Sequence, residues 1–501
     1  MTMSSLLQSI DARSGQPTGA SWPASTPAQI DATVAAAAAV AGQWGASPAV
    51  QRAALLRALA AALEADRETL VPLADRESAL GLPRLNGELD RTAFQLRGFA
   101  DVLERGDAHA SLDDPAVAGA PPAGRPRLTR VRVPVGPVAM FSASNFPFAF
   151  SVLGGDTAAA LAAGCPVVVK AHPAHPELSR KTAALAQRVV AGQGLPAGIF
   201  GCVEGAAIET GVRLVQAQAI AAVAFTGSFK GGTALAKVAA ERPHPIPFYG
   251  ELGSVNPLVV LPAALSGSGA ALAQNLASSI CLGSGQFCTS PGVIVVGKDA
   301  AGDAFVGALA EALHALAPHA MLSAGIRAAF DQGVARWRAS DQLKPLLGEV
   351  ARADSGGLPR PYLAEVGAAD FIADHSLHEE VFGAAALVVR IDSPEQAQQV
   401  LRAVGGSLTV TLWGVHAGSE APDAATLELV RAATQVAGRV LFAGVPTGVA
   451  VTAAQHHGGP FPSSTQPSST SVGYAALDRF LRPVALQDAP AWLIAREGVP
   501  C

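Results

Sequence analysis

VGPVAMFSA (135–143), PVVVKA (166–171), GIFGCV (198–203) and AIAAVAFTGS (219–228) are four short apolar runs rich in β-branched residues. Between and after them lie PFAFSVLGGDTAAALAAG (147–164), ELSRKTAALAQRVVAG (177–192) and TALAKVAAER (233–242), whose apolar residues recur at helical spacing. A strand apolar throughout must be covered on both faces, and helices that alternate with such strands supply the cover. The stretch therefore predicts a doubly wound parallel sheet of the α/β class. Such sheets bind ligands where loops gather at the carboxyl ends of their strands. From about 253 to 445 a similar alternation repeats, which predicts a second α/β domain.

Outward from this region, the first 110 residues read as helices, with Ser47-Pro48 as an N-cap and first-turn proline. The Pro/Gly/Asp-rich DDPAVAGAPPAGRP (113–126) then leads into TRVRV (129–133), which alternates with strand period. That segment is either half a hairpin or a free edge strand, and a free edge is one way for subunits to join. Residues 446–471 are rich in Gly, Pro, Ser and Thr and read as loop. At 501 residues the chain needs more than one core. Only 15% of residues are charged, against roughly a quarter in an average soluble domain. A net charge of −5 gives no basic face for nucleic acid. The alanine-rich run 32–42 is far shorter than the roughly 18–20 residues needed to cross a bilayer. MTMSSLLQSIDARSG lacks a basic stretch followed by an apolar core, so no secretory leader is expected. Five cysteines without a CxxC pair suit a reduced, cytoplasmic setting.

Four motifs carry chemistry. SGQFCTSPG (284–292) places Cys288 between two Gly-rich turns after a predicted helix (271–282), and a thiol there needs an electropositive or helix-end setting to act as nucleophile. In YGELGSVNP (249–257), Glu251 closes a strand-like run at a loop, where rigid neighbours position a side chain. In FSASNFPFAF (141–150), Asn145 either points its amide at a developing oxyanion or caps a helix beginning at Pro147. FTGSFKGGT (225–233) lets backbone approach a phosphate at a helix N-terminus through Gly227 and Gly232, although it has neither P-loop nor GxGxxG spacing. HSLHEE (375–380) puts His375 and His378 on one helix side without HExxH or a third ligand, so no metal is expected. His456 and His457 read as loop histidines near a tunnel mouth.

Asn145, Lys170 in VVVKAHPAHP, GLPAG (194–198), the FTGS turn, Glu251-Leu252-Gly253, GQFC and Glu380-Val381-Phe382-Gly383 occur in the order shown by aldehyde dehydrogenases. Along nearly its whole length the chain resembles that superfamily, and its KAHPAHP, ELGSVNP, GQFCTSPG, FAGVPTGV and QHHGGPFP segments are most similar to an NADP-accepting branch. That branch includes α-ketoglutarate semialdehyde (2,5-dioxovalerate) dehydrogenases and a bacterial fatty-aldehyde dehydrogenase. The resemblance implies oxidation of an aldehyde to a carboxylic acid through a thioester on Cys288. Asn145 and the Cys288 backbone N–H would hold the oxyanion, and Glu251 would activate the hydrolytic water. Lys170, Ser228, Glu380 and Phe382 would contact the dinucleotide, with Gly227 and Gly232 in its phosphate turn. CoA-acylating relatives generally lack the glutamate, so water is the expected acceptor. Where NAD-preferring relatives carry a glutamate three residues after the lysine, this chain has Pro173. NADP is then the expected cofactor, with NAD possible, and Arg213 and Lys230 are candidates to meet its 2′-phosphate.

The branch usually shows an Asn in the segment that here reads Phe442-Ala443-Gly444, and an arginine that QPSSTSVG (466–473) lacks. Phe146, Phe150 and Phe287 would instead form an aromatic wall suited to aliphatic or aromatic aldehydes. The resemblance also implies an architecture: a dinucleotide domain at 1–110 and 137–251, a catalytic domain at 252–445, an oligomerisation arm at 111–136 and 472–501 joining homodimers or homotetramers, and a loop at 446–471 bordering the substrate tunnel. A non-catalytic homologue would have lost the nucleophile, base or oxyanion donor, and all three are present.

Overall fold

The computed structural model describes residues 6–347, 358–415 and 423–494. Its first large sheet has five parallel strands in the order Phe200–Val203, Val167–Lys170, Val138–Phe141, Ala222–Thr226 and Phe248–Glu251. Val138–Phe141 lies at the centre and is buried at every position, as are the first three residues of Val167–Lys170. The apolar runs read from the sequence are these strands, and each ends toward the same loop cluster. Glu251 is the last residue of one strand and Lys170 the last of another, while Asn145 lies four residues beyond Phe141. A fully buried Val or Leu contributes about 1.5–3 kcal/mol relative to exposure. The sheet is accordingly a stiff platform for these three side chains.

The second sheet has seven strands, ordered Lys344–Pro345, Tyr362–Gly367, Ala385–Ile391, Val293–Gly297, Leu258–Val260, Ser407–Trp413 and Ala437–Leu441. All neighbours are parallel except the first pair. Every residue of Ala385–Ile391 and Ser407–Trp413 is buried. Cys288 is delivered between the Gly269–Cys281 helix and the Val293–Gly297 strand. Two doubly wound α/β units face each other across the loop cluster, as the alternating pattern predicts.

Three expectations need correction. The first 110 residues are not all helix: Leu6–Ile10 and Pro17–Pro23 form an antiparallel ladder. The second of these strands is mostly exposed and carries Gly19 at positive φ, so it shows no apolar alternation to read. The helix expected over 147–164 spans only Gly155–Ala163. Residues 146–154 coil in tight turns instead, because Gly154 lies where a Cβ would come within 2.4 Å of the Ala149 carbonyl oxygen. Asn145 therefore caps no helix. Finally, of the two alternatives for 129–133 the free edge falls, since Leu128–Pro134 pairs antiparallel with the strand before it as half a hairpin does. It is the central strand of a three-stranded sheet, paired over seven residues with Leu481–Gln487 and on its other side with Leu112–Asp114. Among the described residues, no helix is long and apolar enough to cross a membrane.

Candidate active site

Local backbone chemistry fixes Cys288 before any partner is considered. Gly283, Ser284 and Gly285 adopt positive φ in succession. A Cβ on Gly285 would lie 2.2 Å from the Gly383 carbonyl carbon, so glycine is needed for that approach. Asn256, wholly buried and itself at φ 47°, donates through Nδ2 to the Cys288 carbonyl at 2.8 Å and the Ser290 carbonyl at 3.0 Å. Its Oδ1 accepts from Ser254 and Thr409, so the amide is satisfied on both sides. Sequence reasoning overlooked Asn256, although it lies inside the ELGSVNP motif.

Three side chains meet at the thiol. Cys288 Sγ lies 3.6 Å from His457 Nε2, which lies 3.0 Å from Glu251 Oε1. One ligand-type atom from each residue falls within 4.8 Å of the others. His457 is 1% exposed and Glu251 4%. His457 is a loop histidine as expected, but it is the buried neighbour of both reactive groups. Its Nδ1 has no partner, so a proton on Nε2 makes a bond to the carboxylate that a proton on Nδ1 would not. Ser471 Oγ donates to the other Glu251 oxygen, and Ser471 N–H donates to the His457 carbonyl. Burial pushes the Glu251 carboxyl up, but His457 and the hydrogen bonds from His457, Ser471 and Cys288 outweigh it and hold the pKa below the ordinary value. Burial, the Glu251 charge and Glu380 push the Cys288 thiol well up. The resting pair is thus a protonated thiol beside an ionised carboxylate.

Asn145 stands at the same cavity, 8% exposed, its Nδ2 donating to the Gln286 carbonyl at 3.0 Å while Arg84 donates to its backbone oxygen at 2.6 Å. Phe146 packs edge-on against Phe150 and Phe287, with ring centres 5.1 and 5.2 Å away. Phe146 and Phe150 border a cavity of about 310 Å³ with Asn145, Glu251 and Cys288; Phe287 backs the wall. The cavity runs on past Thr226, Gly227 and Ser228 to Glu380 and Phe382. Ser228 caps the Phe229–Ala240 helix by accepting from Gly231 N–H. Gly232 faces the protein instead, where a Cβ would fall 2.1 Å from Leu252 Cδ2. Thr226 Oγ1 is buried with no partner at the cavity edge, which fits a site awaiting a polar ligand. Glu380 packs so closely on Gly253 that a Cβ there would lie 2.5 Å from its carboxylate, and burial lifts its pKa to about 8. Lys170, at its strand end, is not among the residues that line this cavity, and burial brings its pKa down to about 8. Arg213 forms a forked ion pair with Asp31, and Lys230 is exposed on the first turn after Ser228. His378 Nε2 donates to the Phe371 carbonyl at 2.8 Å, apart from the catalytic cluster.

Residues 4–418 match the model of the aldehyde dehydrogenase family. The chain belongs to that family. It is 43% identical over 452 residues to α-ketoglutaric semialdehyde dehydrogenase 2 of Azospirillum brasilense, covering 89% of this chain and 84% of the relative. It is 38% identical over 498 residues to α-ketoglutaric semialdehyde dehydrogenase of Acinetobacter baylyi, covering 99% and 93%. Among solved structures, proline utilization A of Bradyrhizobium japonicum superposes with a TM-score of 0.78 at 26% identity. That match covers 93% of this chain and 45% of the longer protein, so the chain spans less than half of that relative. This aldehyde dehydrogenase is an oxidoreductase that converts aldehydes to acids with a nicotinamide dinucleotide.

Proposed function

We propose that Cys288 is the nucleophile, Glu251 the base that serves both the thiol and the hydrolytic water, and Asn145 with the Cys288 N–H the oxyanion donors. The observation that carries this reading is the packing of Cys288, Glu251 and His457 within 4.8 Å of one another in a buried site. The S–H proton passes to Glu251 as sulfur bonds to the aldehyde carbon. The oxyanion is met by N–H donors, each worth about 10²–10³ in rate. Bound nicotinamide supplies the acceptor for the hydride that leaves this carbon. Glu251 first releases the S–H proton to solvent, then takes one from the water that attacks the thioester and returns it to the departing Cys288 sulfur, which restores the thiol and the carboxylate. His457 Nε2–H can turn to the thiolate or the carboxylate, whichever carries the charge.

Gly227, Ser228 and the Phe229–Ala240 helix start would hold the phosphates, with Glu380 and Phe382 at the nicotinamide end and Lys170 at the adenosine ribose. Gly232 would support that turn by packing. Pro173 is exposed and leaves no carboxylate to repel a 2′-phosphate, which supports NADP. With Arg213 paired to Asp31, Lys230 is the better candidate to meet that phosphate. The names of the relatives support 2,5-dioxovalerate as substrate and 2-oxoglutarate as product. A second reading, aliphatic or aromatic aldehydes, is favoured by the Phe146–Phe150–Phe287 wall. The three-stranded sheet, whose outer strands have no further strand partner among the described residues, supports the assignment of 111–136 and 472–501 to an arm that joins a dimer or tetramer. It accompanies a dinucleotide domain (1–110, 137–251) and a catalytic domain (252–445). Cys202, Cys281 and Cys288 are in no disulfide, in keeping with a cytoplasmic setting.

The test is to follow reduced nicotinamide with NADP or NAD across an aldehyde panel. Cys288→Ala should abolish turnover and keep cofactor binding; normal turnover would refute the assignment.

A further inference from the structure

The helix Leu82–Glu104 carries Arg84, Glu88 and Arg91 at i, i+4 and i+7, a single helical face. That face is turned toward the aromatic wall of the active site. The Arg84 guanidinium lies 4.4 Å from the Phe287 ring centre and 5.0 Å from that of Phe146, and Arg91 lies 5.9 Å from that of Phe150. Arg91 uses Nη1 to donate to the Val449 carbonyl. Its Nε and Nη2 are buried with no partner. Those two nitrogens form the edge of the guanidinium whose N–H bonds are parallel, the geometry that takes both oxygens of one carboxylate. No described ion pair uses Arg91. The nearby Glu88 has one oxygen committed to the Phe148 and Ala149 N–H groups, and its burial raises its pKa. Across the same loop, Arg439 holds the Pro446 and Gly448 carbonyls and also keeps a buried unpartnered Nε.

A buried cation with two idle donors is costly unless something anionic meets it. We propose that Arg91 is the substrate-carboxylate anchor of the tunnel, so that the preferred aldehydes carry a carboxylate at the end of the chain opposite the reacting carbonyl. Arg439 and Arg91 together fix the 446–449 segment that frames this end. The inference rests on the chemistry assigned to Cys288 and narrows its substrate class. It also supplies the cation that QPSSTSVG lacks.

The experiment compares kcat/KM for 2,5-dioxovalerate with kcat/KM for pentanal, an uncharged aldehyde of equal carbon number, in wild type, Arg91→Met and Arg91→Lys. The ratio of the two is independent of the fraction of protein that folds. Wild type should favour the acid. Arg91→Met should lower the ratio roughly 10- to 100-fold, as expected for losing a charged hydrogen-bond pair, mainly through the KM for the acid. Arg91→Lys should recover part of it. If wild type favours the acid and Arg91→Met keeps the same ratio, the anchor is refuted while the substrate reading survives. If wild type oxidises both aldehydes without preferring the acid, the substrate reading falls and the anchor with it.

Discussion

His457→Phe removes the ring N–H that Glu251 Oε1 meets at 3.0 Å while keeping an aromatic ring in a fully buried slot. Glu251 has three side-chain donors, His457 Nε2, Ser471 Oγ and the Cys288 thiol, and they oppose a burial effect that pushes the carboxyl up. A hydrogen bond to a buried charge contributes about 1.5–3 kcal/mol. At about 1.4 kcal/mol per pKa unit, its loss should raise the carboxyl by about one to two units. The sign follows from the base role: Glu251 accepts a proton only when ionised. A raised pKa extends the inactive, protonated range upward, so the acid limb of the kcat profile should move to higher pH by that amount. On that limb both steps that need the ionised carboxylate, thiol deprotonation and thioester hydrolysis, should slow together. His457→Gln, which keeps an N–H donor, should restore part of the profile. An unshifted acid limb would refute the role given to His457, even if kcat fell uniformly.

Two further outcomes follow from the same distances. Because Cys288, Glu251 and His457 present sulfur, oxygen and nitrogen within 4.8 Å, spacings a tetrahedral Zn²⁺ accepts, added Zn²⁺ should inhibit reversibly and in competition with aldehyde. A chelator should restore activity, and His457→Phe should weaken the inhibition by about tenfold or more; inhibition indifferent to His457 would place the ion elsewhere. Gly253→Ala would set a Cβ 2.5 Å from Glu380 Oε2, displacing that carboxylate. The Kd for NADP, measured by titration, should rise roughly tenfold, the value of one charged hydrogen bond; an unchanged Kd would remove Glu380 from the cofactor site.

What could be read from the chain depended on how locally each feature is encoded. The runs at 138–141, 167–170 and 222–226 declared themselves because a strand buried on both faces must be apolar and β-branched over its whole length. Cys288, Glu251 and Asn145 were each visible beside a turn or strand end, and the fold brings all three to one cavity. His457 and Ser471 were not readable in the same way. They lie in a stretch with no period, 206 and 220 residues from the carboxylate they serve. Local spacing instead drew attention to His375 and His378, whose partners are one another and the Phe371 carbonyl. Arg91 was hidden differently, as one of several polar residues on an amphipathic helix, and only its idle buried edge sets it apart.

The loop at 446–471 is thus more than a border to the tunnel. It supplies His457 and Ser471 to Glu251, and its Val449 carbonyl occupies one edge of Arg91. Ser463 and Thr465 also bond to the strand-end backbone at Leu252 and Gly250. A segment with neither helix nor strand is ordered here by the groups it completes. The state of the base and the anchor for the substrate are therefore set by one loop, and a change in its seating should alter the pH profile and the acid preference together.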